Sequence, residues 1–144
     1  MTEPIALEFT VSAPPERAFL VWTDECSRWW PQSHSMTGQS GFEVVFEPRA
    51  GGRIYEIGAD GSEHDWGEVE IWEPPQRLRY AWYIFLEPER ATTVEVTFVP
   101  DTDGTRVRLV NSGFEVFGDG AGDRVMRVGS AWDGIAGEYR RSVG

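Results

Sequence analysis

Residues 42–82 read FEVVFEPRAGGRIYEIGADGSEHDWGEVEIWEPPQRLRYAW, a run of segments in which apolar and polar residues alternate, broken at Gly51-Gly52, Asp60-Gly61 and Pro74-Pro75. Alternation with a period of two marks strands with one buried face, and the Gly, Pro and Asp breaks supply turns. This predicts strands over 42–47, 53–58, 63–73 and 77–86. The pattern continues through 92–100 and 105–113, and Ile5, Leu7, Phe9 and Val11 add a strand at the N-terminus, making seven. Connections this short favour antiparallel neighbours, because a parallel crossover needs a dozen or more residues. The inward sets are Phe42, Val44 and Phe46; Val69 and Ile71; Leu78, Tyr80, Trp82 and Ile84; Val94, Val96 and Phe98; Val107 and Leu109. The opposite parity carries Glu43, Glu47, Arg79, Glu95, Arg106 and Arg108, a charged outer face. The stretch 65–73 is ambiguous, since Trp66 and Trp72 share the parity of Glu68 and Glu70, and both its faces are expected to be partly covered.

Around the sheet the sequence places helices. Pro14-Pro15 stops the first strand and suits a first helical turn, with Glu16 near the positive helix end and Ala18, Phe19 and Trp22 as the buried face. Asp24 is expected to cap a second short helix carrying Cys26, Trp29 and Trp30, which Pro31 ends. A polar loop follows over 32–41. Near the C-terminus Val125, Val128, Trp132, Ile135 and Tyr139 recur at three- and four-residue steps, the stripe of one long helix lying on the sheet. Gly129, Gly134 and Gly137 interrupt it at ~1 kcal/mol each relative to alanine, which points to close approach or to an unfilled space beside the helix. The segment GDGAGD (118–123) has the glycine spacing of a phosphate loop, but its aspartates repel phosphate and no lysine follows. It is read as a flexible connector capped by Asp123, placed where it could gate a cavity. A chain of 144 residues fits one domain, 1–144, of the α+β class.

Composition excludes several chemistries. The formal net charge of −11 argues against nucleic acid, whose binders need basic surface. All thirteen basic residues are arginine, so Schiff-base and phosphate-loop lysines are ruled out. Cys26 is the single cysteine, which rules out an intrachain disulfide. His34 and His64 lie in Gly-, Ser- and Asp-rich surroundings without metal-ligand spacing, and His64 with Glu63, Asp60 and Asp65 reads as a solvated turn. Neither a metal nor a cofactor is expected. Cys26 with His34 lacks the signature of a nucleophile and its base. The longest apolar run, 81–86, is too short to span a membrane, and the start MTEPIALEF lacks the pattern of a signal peptide, so a cytoplasmic protein is expected.

Strand, two short helices, six meandering strands and a long closing helix is the order of the helix-grip (START/Bet v 1-like) fold, a curved seven-stranded antiparallel sheet around a C-terminal helix. Six segments carry a closer likeness: APPERAF (13–19), Trp29-Trp30-Pro31, FEPRAGGR (46–53), GEVEIWEPPQRLRYAW (67–82), TVEVTF (93–98) and GTRVRLVNSGF (104–114). Together they resemble the START-like (SRPBCC) proteins related to the activator of Hsp90 ATPase, over nearly the whole chain. The resemblance implies a scaffold for hydrophobic or lipid-like ligands, a relation to polyketide cyclases and, for the eukaryotic co-chaperones, contact with Hsp90. Those co-chaperones carry a further N-terminal domain, so a chaperone partner is the least expected of the three. Where relatives often show histidine in the last strand, this chain has Asn111.

The expected site is a cavity between the sheet and the C-terminal helix, holding a small hydrophobic molecule without catalysis. A cyclase-like enzyme or a co-chaperone module are the alternatives, and a homodimer is compatible with any of them. The expected ligand contacts are Trp30, Phe46, Ile54, Val69, Trp82, Val96, Leu109, Val128, Trp132 and Ile135. Trp132 leads because it sits mid-helix between Gly129 and Gly134, whereas Trp22, Trp29 and Trp72 are read as packing residues. Arg53, Glu56, Tyr83 and Asn111 are the candidate polar contacts, with Glu56 and Arg53 or another arginine read as a satisfied ion pair at the sheet end.

Overall fold

The computed structural model describes residues 3–143. Seven strands, β1 (Ile5–Val11), β2 (Glu43–Phe46), β3 (Arg53–Ile57), β4 (Glu63–Glu73), β5 (Arg77–Trp82), β6 (Thr92–Asp101) and β7 (Gly104–Ser112), form one sheet in the order β1-β7-β6-β5-β4-β3-β2. Every pairing is antiparallel, as the short turns require. The helices are α1 (Pro15–Thr23), α2 (Cys26–Trp29) and α3 (Ala121–Val143). The sheet curls as a half-barrel with α3 closing over it, the helix-grip arrangement. No helix among the described residues is long and apolar enough to cross a membrane.

The core lies where the apolar faces of the strands meet α1, α2 and α3. Trp22, Trp66, Trp132, Tyr80, Tyr139 and Phe98 are all buried there. Burying each such side chain contributes on the order of 2 kcal/mol or more. Most of the rings pack edge-on or tilted, as the aromatic quadrupole prefers, with Trp22 on Tyr139 at 4.8 Å and Trp30 on Trp66 at 4.8 Å between centroids, while Trp22 and Trp132 stack at 6.4 Å. Polar atoms on these rings are used as ties. The Tyr139 hydroxyl donates to the Ala18 carbonyl at 2.7 Å, joining α3 to α1, and Trp29 Nε1 donates to the Val21 carbonyl at 2.7 Å.

Strand β4 departs from simple alternation, and the departure resolves the ambiguity of 65–73. Ile54 faces Gly67 while Tyr55 faces Asp65, leaving Trp66 as the extra residue of one bulge; Val69 faces Tyr80 while Ile71 faces Arg79, leaving Glu70 as the extra residue of a second. Each bulge flips the parity downstream. Trp66 and Val69 are therefore both buried, and Trp72, not Ile71, takes the inward register opposite Leu78 and packs on Phe19 at 5.1 Å.

Other boundaries also shift. Asp24 is the C-terminal cap of α1 rather than the cap of α2, whose preceding residue is Glu25. Strand β5 stops at Trp82, so Ile84 lies in the connection to β6, and Phe42 falls just outside β2. The connector after β7 is an ordered 3-10 segment, Phe114–Gly120, and Asp123 sits inside the first turn of α3. Gly129, Gly134 and Gly137 in α3 do not mark close approach. A Cβ at Gly134 meets nothing within 4 Å, and at Gly129 and Gly137 it makes only ordinary contacts with Ile5 and Arg141.

Candidate functional site: an aromatic cavity under helix α3

Where β5 ends, β6 begins and β7 ends, the sheet and the N-terminal half of α3 do not meet, and a cavity of about 380 Å³ remains. That size lies within the range of small-molecule sites, roughly 300–1,000 Å³. Trp82 from β5 and Trp132 from α3 stand 5.9 Å apart, and Trp30, just past α2, lies 5.8 Å from the first and 6.2 Å from the second. These three indoles end the tryptophan core and form the inner wall. Val128, Ala131 and Ile135 line the helix side, and Phe114 and Phe117 come from the 3-10 segment. The mouth is formed by Ile84, Phe85 and Leu86 with Arg124 and Arg127. Phe85 is 59% exposed and holds φ at +67°, a conformation bulky residues seldom adopt, so its ring projects at the opening at a cost in backbone strain.

Three polar groups reach this apolar space. Asn111 on β7 is fully buried; its amide donates to Thr92 Oγ1 and to the Thr93 carbonyl, both at 2.9 Å, and its Oδ1 accepts from Trp132 Nε1 at 3.1 Å. This network ties β6, β7 and α3 at the cavity floor, and it fixes the plane of Trp132. Thr92 lines the cavity beside it. His34 comes from the short 3-10 turn Gln32–His34, whose backbone carbonyl accepts from Trp30 Nε1 at 3.1 Å.

The turn that presents His34 is anchored by Glu56. This carboxylate is fully buried on β3, where Oε1 accepts from the Met36 backbone N–H at 2.7 Å and from Trp66 Nε1 at 3.1 Å. Oε2 accepts from the Thr37 N–H at 3.0 Å and from its hydroxyl at 2.6 Å. The expected pairing of Glu56 with Arg53 is thus replaced by four donors of neutral groups. Neighbouring strand residues point to opposite faces, and Arg53, exposed, pairs outside with Asp65 at 2.8 Å and Glu63 at 3.1 Å and stacks over Tyr55 at 4.1 Å. Tyr83 belongs to the same outer neighbourhood. Partial burial, followed by Asp65 and Glu68, raises its hydroxyl above the ordinary value.

Of the expected apolar contacts, Trp30, Trp82, Val128, Trp132 and Ile135 line the cavity, as does Asn111 among the polar ones. Ile54, Val69, Val96 and Leu109 are buried in the core away from it. Phe46 lies in a separate hollow with Phe19, Leu20 and Trp72. Cys26 is buried, and desolvation pushes its thiol far up, which removes the thiolate a nucleophile would need. His64 contacts Ser62 Oγ at 3.0 Å, and among the described residues no three His, Cys, Asp or Glu side chains converge as a metal site.

The profile of activator of Hsp90 ATPase homolog 1-like proteins matches residues 12–131. The chain belongs to that family. Solved structures share the fold. The chain is similar to protein MLL2253 from Mesorhizobium loti, with a TM-score of 0.71 and 21% identity over 96% of this chain and 95% of the other. It is also similar to an AHSA1-like protein from Aeromonas hydrophila, with a TM-score of 0.66 and 21% identity over 98% and 92%. The anthrahydroquino-gamma-pyrone synthase Txn09 shares 37% identity, with a TM-score of 0.60, over 83% of this chain and 82% of its own. Among curated proteins none matches the sequence significantly.

In this AHSA1-like chain, sequence reasoning missed His34, Ile84 to Leu86, Thr92, Phe114, Phe117, Arg124, Arg127 and Ala131. Most lie in loops or at strand ends, where periodicity gives no direction. The two arginines did carry a signal: they sit three residues apart, Arg124 one turn before Val128 and Arg127 directly before it, next to the apolar stripe of the helix.

Proposed function

We propose that the chain, acting as one START-like unit, binds a small apolar molecule in the cavity between the sheet and α3. The observation that carries this reading is a space of about 380 Å³ between the sheet and α3 walled by Trp30, Trp82 and Trp132; the hollow beside Phe46 and Trp72 is of similar volume but has no such indole wall and lies outside the space under α3. Hydrophobic cavities of this kind gain affinity from desolvating a ligand against aromatic faces, while Asn111, its amide hydrogens already donated, holds Trp132 in place and Thr92 Oγ1 keeps a lone pair beside the space. A soluble cytoplasmic binding protein is the cellular setting that goes with this proposal.

The test is titration of intrinsic tryptophan fluorescence with a panel of lipophilic compounds, with native mass spectrometry to give stoichiometry. The expected result is a one-to-one complex that changes tryptophan emission. Ala131→Phe, which fills the space from the helix side, should abolish binding while the fold is retained. Binding that survives Ala131→Phe, or a panel that yields no complex, refutes the proposal.

A second reading, a cyclase-like enzyme using the same cavity, is favoured by the 37% identity with the synthase Txn09. His34 is the titratable imidazole at the cavity, and Asn111 and Thr92 supply hydrogen-bonding groups beside it. His34→Gln separates the two readings. A binder keeps its ligand and loses nothing else, whereas an enzyme that uses the imidazole as acid or base should lose about 10²-fold or more in turnover.

A further inference from the structure

Eight of the thirteen arginines form ion pairs with carboxylates: Arg17, Arg28, Arg49, Arg53, Arg77, Arg79, Arg106 and Arg141. In a chain with a net charge of −11 this is the expected fate of an arginine. Of the five that have no carboxylate within ion-pair distance among the described residues, Arg108 and Arg140 lie elsewhere, whereas Arg124 and Arg127 line the cavity mouth and Arg90 lies beside them. Arg124 lies over the Phe117 ring at 4.4 Å and Arg90 over the same ring at 5.6 Å, so one aromatic side chain carries both guanidinium groups. Arg127, one turn along α3, lines the same opening. Burial, followed by the like charges of Arg127 and Arg90, pushes the Arg124 guanidinium below its ordinary value. Gathering cations without a counter-charge is unfavourable, and a bound anion removes the repulsion. Guanidinium groups also offer a planar fork that matches a carboxylate or sulfonate.

Resting on the binding reading above, we propose that the ligand is an aromatic anion, a flat ring system held among Trp30, Trp82 and Trp132 with a carboxylate or sulfonate placed between Arg124 and Arg127. The aromatic wall selects the body, since indole faces gain more from stacking rings than from a flexible chain, and the arginine rim selects the charge. The charge sits at the opening, where it stays partly hydrated and no full desolvation of the anion is required.

The experiment compares two fluorescent probes that share a ring system, 1-anilinonaphthalene-8-sulfonate and the uncharged N-phenyl-1-naphthylamine, titrated at low ionic strength. Wild type should bind the sulfonate about tenfold more tightly than the neutral probe, a preference that shrinks as salt screens the rim. The double variant Arg124→Gln/Arg127→Gln should bind the two alike. The control Arg106→Gln/Arg108→Gln removes the same charge from the exposed face of β7 and should keep the preference. Equal affinities in wild type, or a preference lost equally in the control, overturn the rim assignment while leaving the cavity reading intact. Failure of both probes to bind overturns the cavity reading and this inference with it. A competition arm tests the body: 2-naphthoate should displace the sulfonate probe more strongly than decanoate, and equal displacement overturns the aromatic half of the assignment.

Discussion

Replacing Glu56 by glutamine changes one atom in a space where the carboxylate is fully buried, yet the structure predicts a large effect. All four groups around the side chain are donors, two on each oxygen: the Met36 N–H and Trp66 Nε1 on one, the Thr37 N–H and hydroxyl on the other. Turned toward Met36 and Trp66, its NH2 faces two donors and no acceptor; turned toward Thr37, it can donate one hydrogen to the rotated hydroxyl, but its other hydrogen still faces the Thr37 N–H and both are left unsatisfied. An unsatisfied buried donor costs about 1–3 kcal/mol, and the hydroxyl of Thr37 can rotate away, so the net loss should be about 3 kcal/mol. For a chain of this length that corresponds to a fall in Tm of roughly 6–12 °C. Thr37→Ala, which removes one donor and leaves the carboxylate three, should cost only about 1 kcal/mol. Urea unfolding followed by tryptophan fluorescence measures both. A Glu56→Gln variant within about 0.5 kcal/mol of wild type, the scatter of surface substitutions, would show that the four donors do not require a carboxylate.

Other expectations follow from the same contacts. Gly134→Ala should stabilise the fold by up to about 1 kcal/mol, because the helix is exposed there and a Cβ meets nothing within 4 Å; thermal unfolding checks it. Cys26 should resist alkylation in the native protein and react only on unfolding, which mass spectrometry of iodoacetamide-treated samples reads directly. Burial raises the Cys26 thiol above its unfolded value, so the folded state retains a proton that the unfolded state releases above about pH 8.5. Stability is therefore full below that pH and falls as pH rises beyond it, and Cys26→Ala should flatten the fall in urea titrations taken from pH 7 to 10. Phe85→Gly should relieve the left-handed strain at the mouth while opening it, giving equal or higher stability with faster ligand release in stopped-flow fluorescence.

The sheet was legible because its strands bury one face and alternate, and because glycine, proline and aspartate mark the turns. The register of β4 was not, since a bulge adds a residue without changing composition, and two bulges moved Trp66 and Trp72 inward against simple parity. The inner wall of the cavity was legible in Trp30, Trp82 and Trp132, because large aromatics on facing elements must meet. Ile54, Val69, Val96 and Leu109 share their inward parity, and nothing in a linear pattern tells a residue packed in the core from one at its unfilled end. Glu56 was recognised as a buried carboxylate in need of partners. Its partners lie across a polar loop, so the sequence offered the charged neighbour Arg53 where the structure uses backbone N–H groups.

A crystal structure grown with 2-naphthoate, at a concentration that native mass spectrometry shows to give a one-to-one complex, bears most directly on the central claim. The ring system should lie between Trp82 and Trp132, with the carboxylate at Arg124 and Arg127. A ligand seated instead in the hollow beside Phe46 and Trp72 would contradict it.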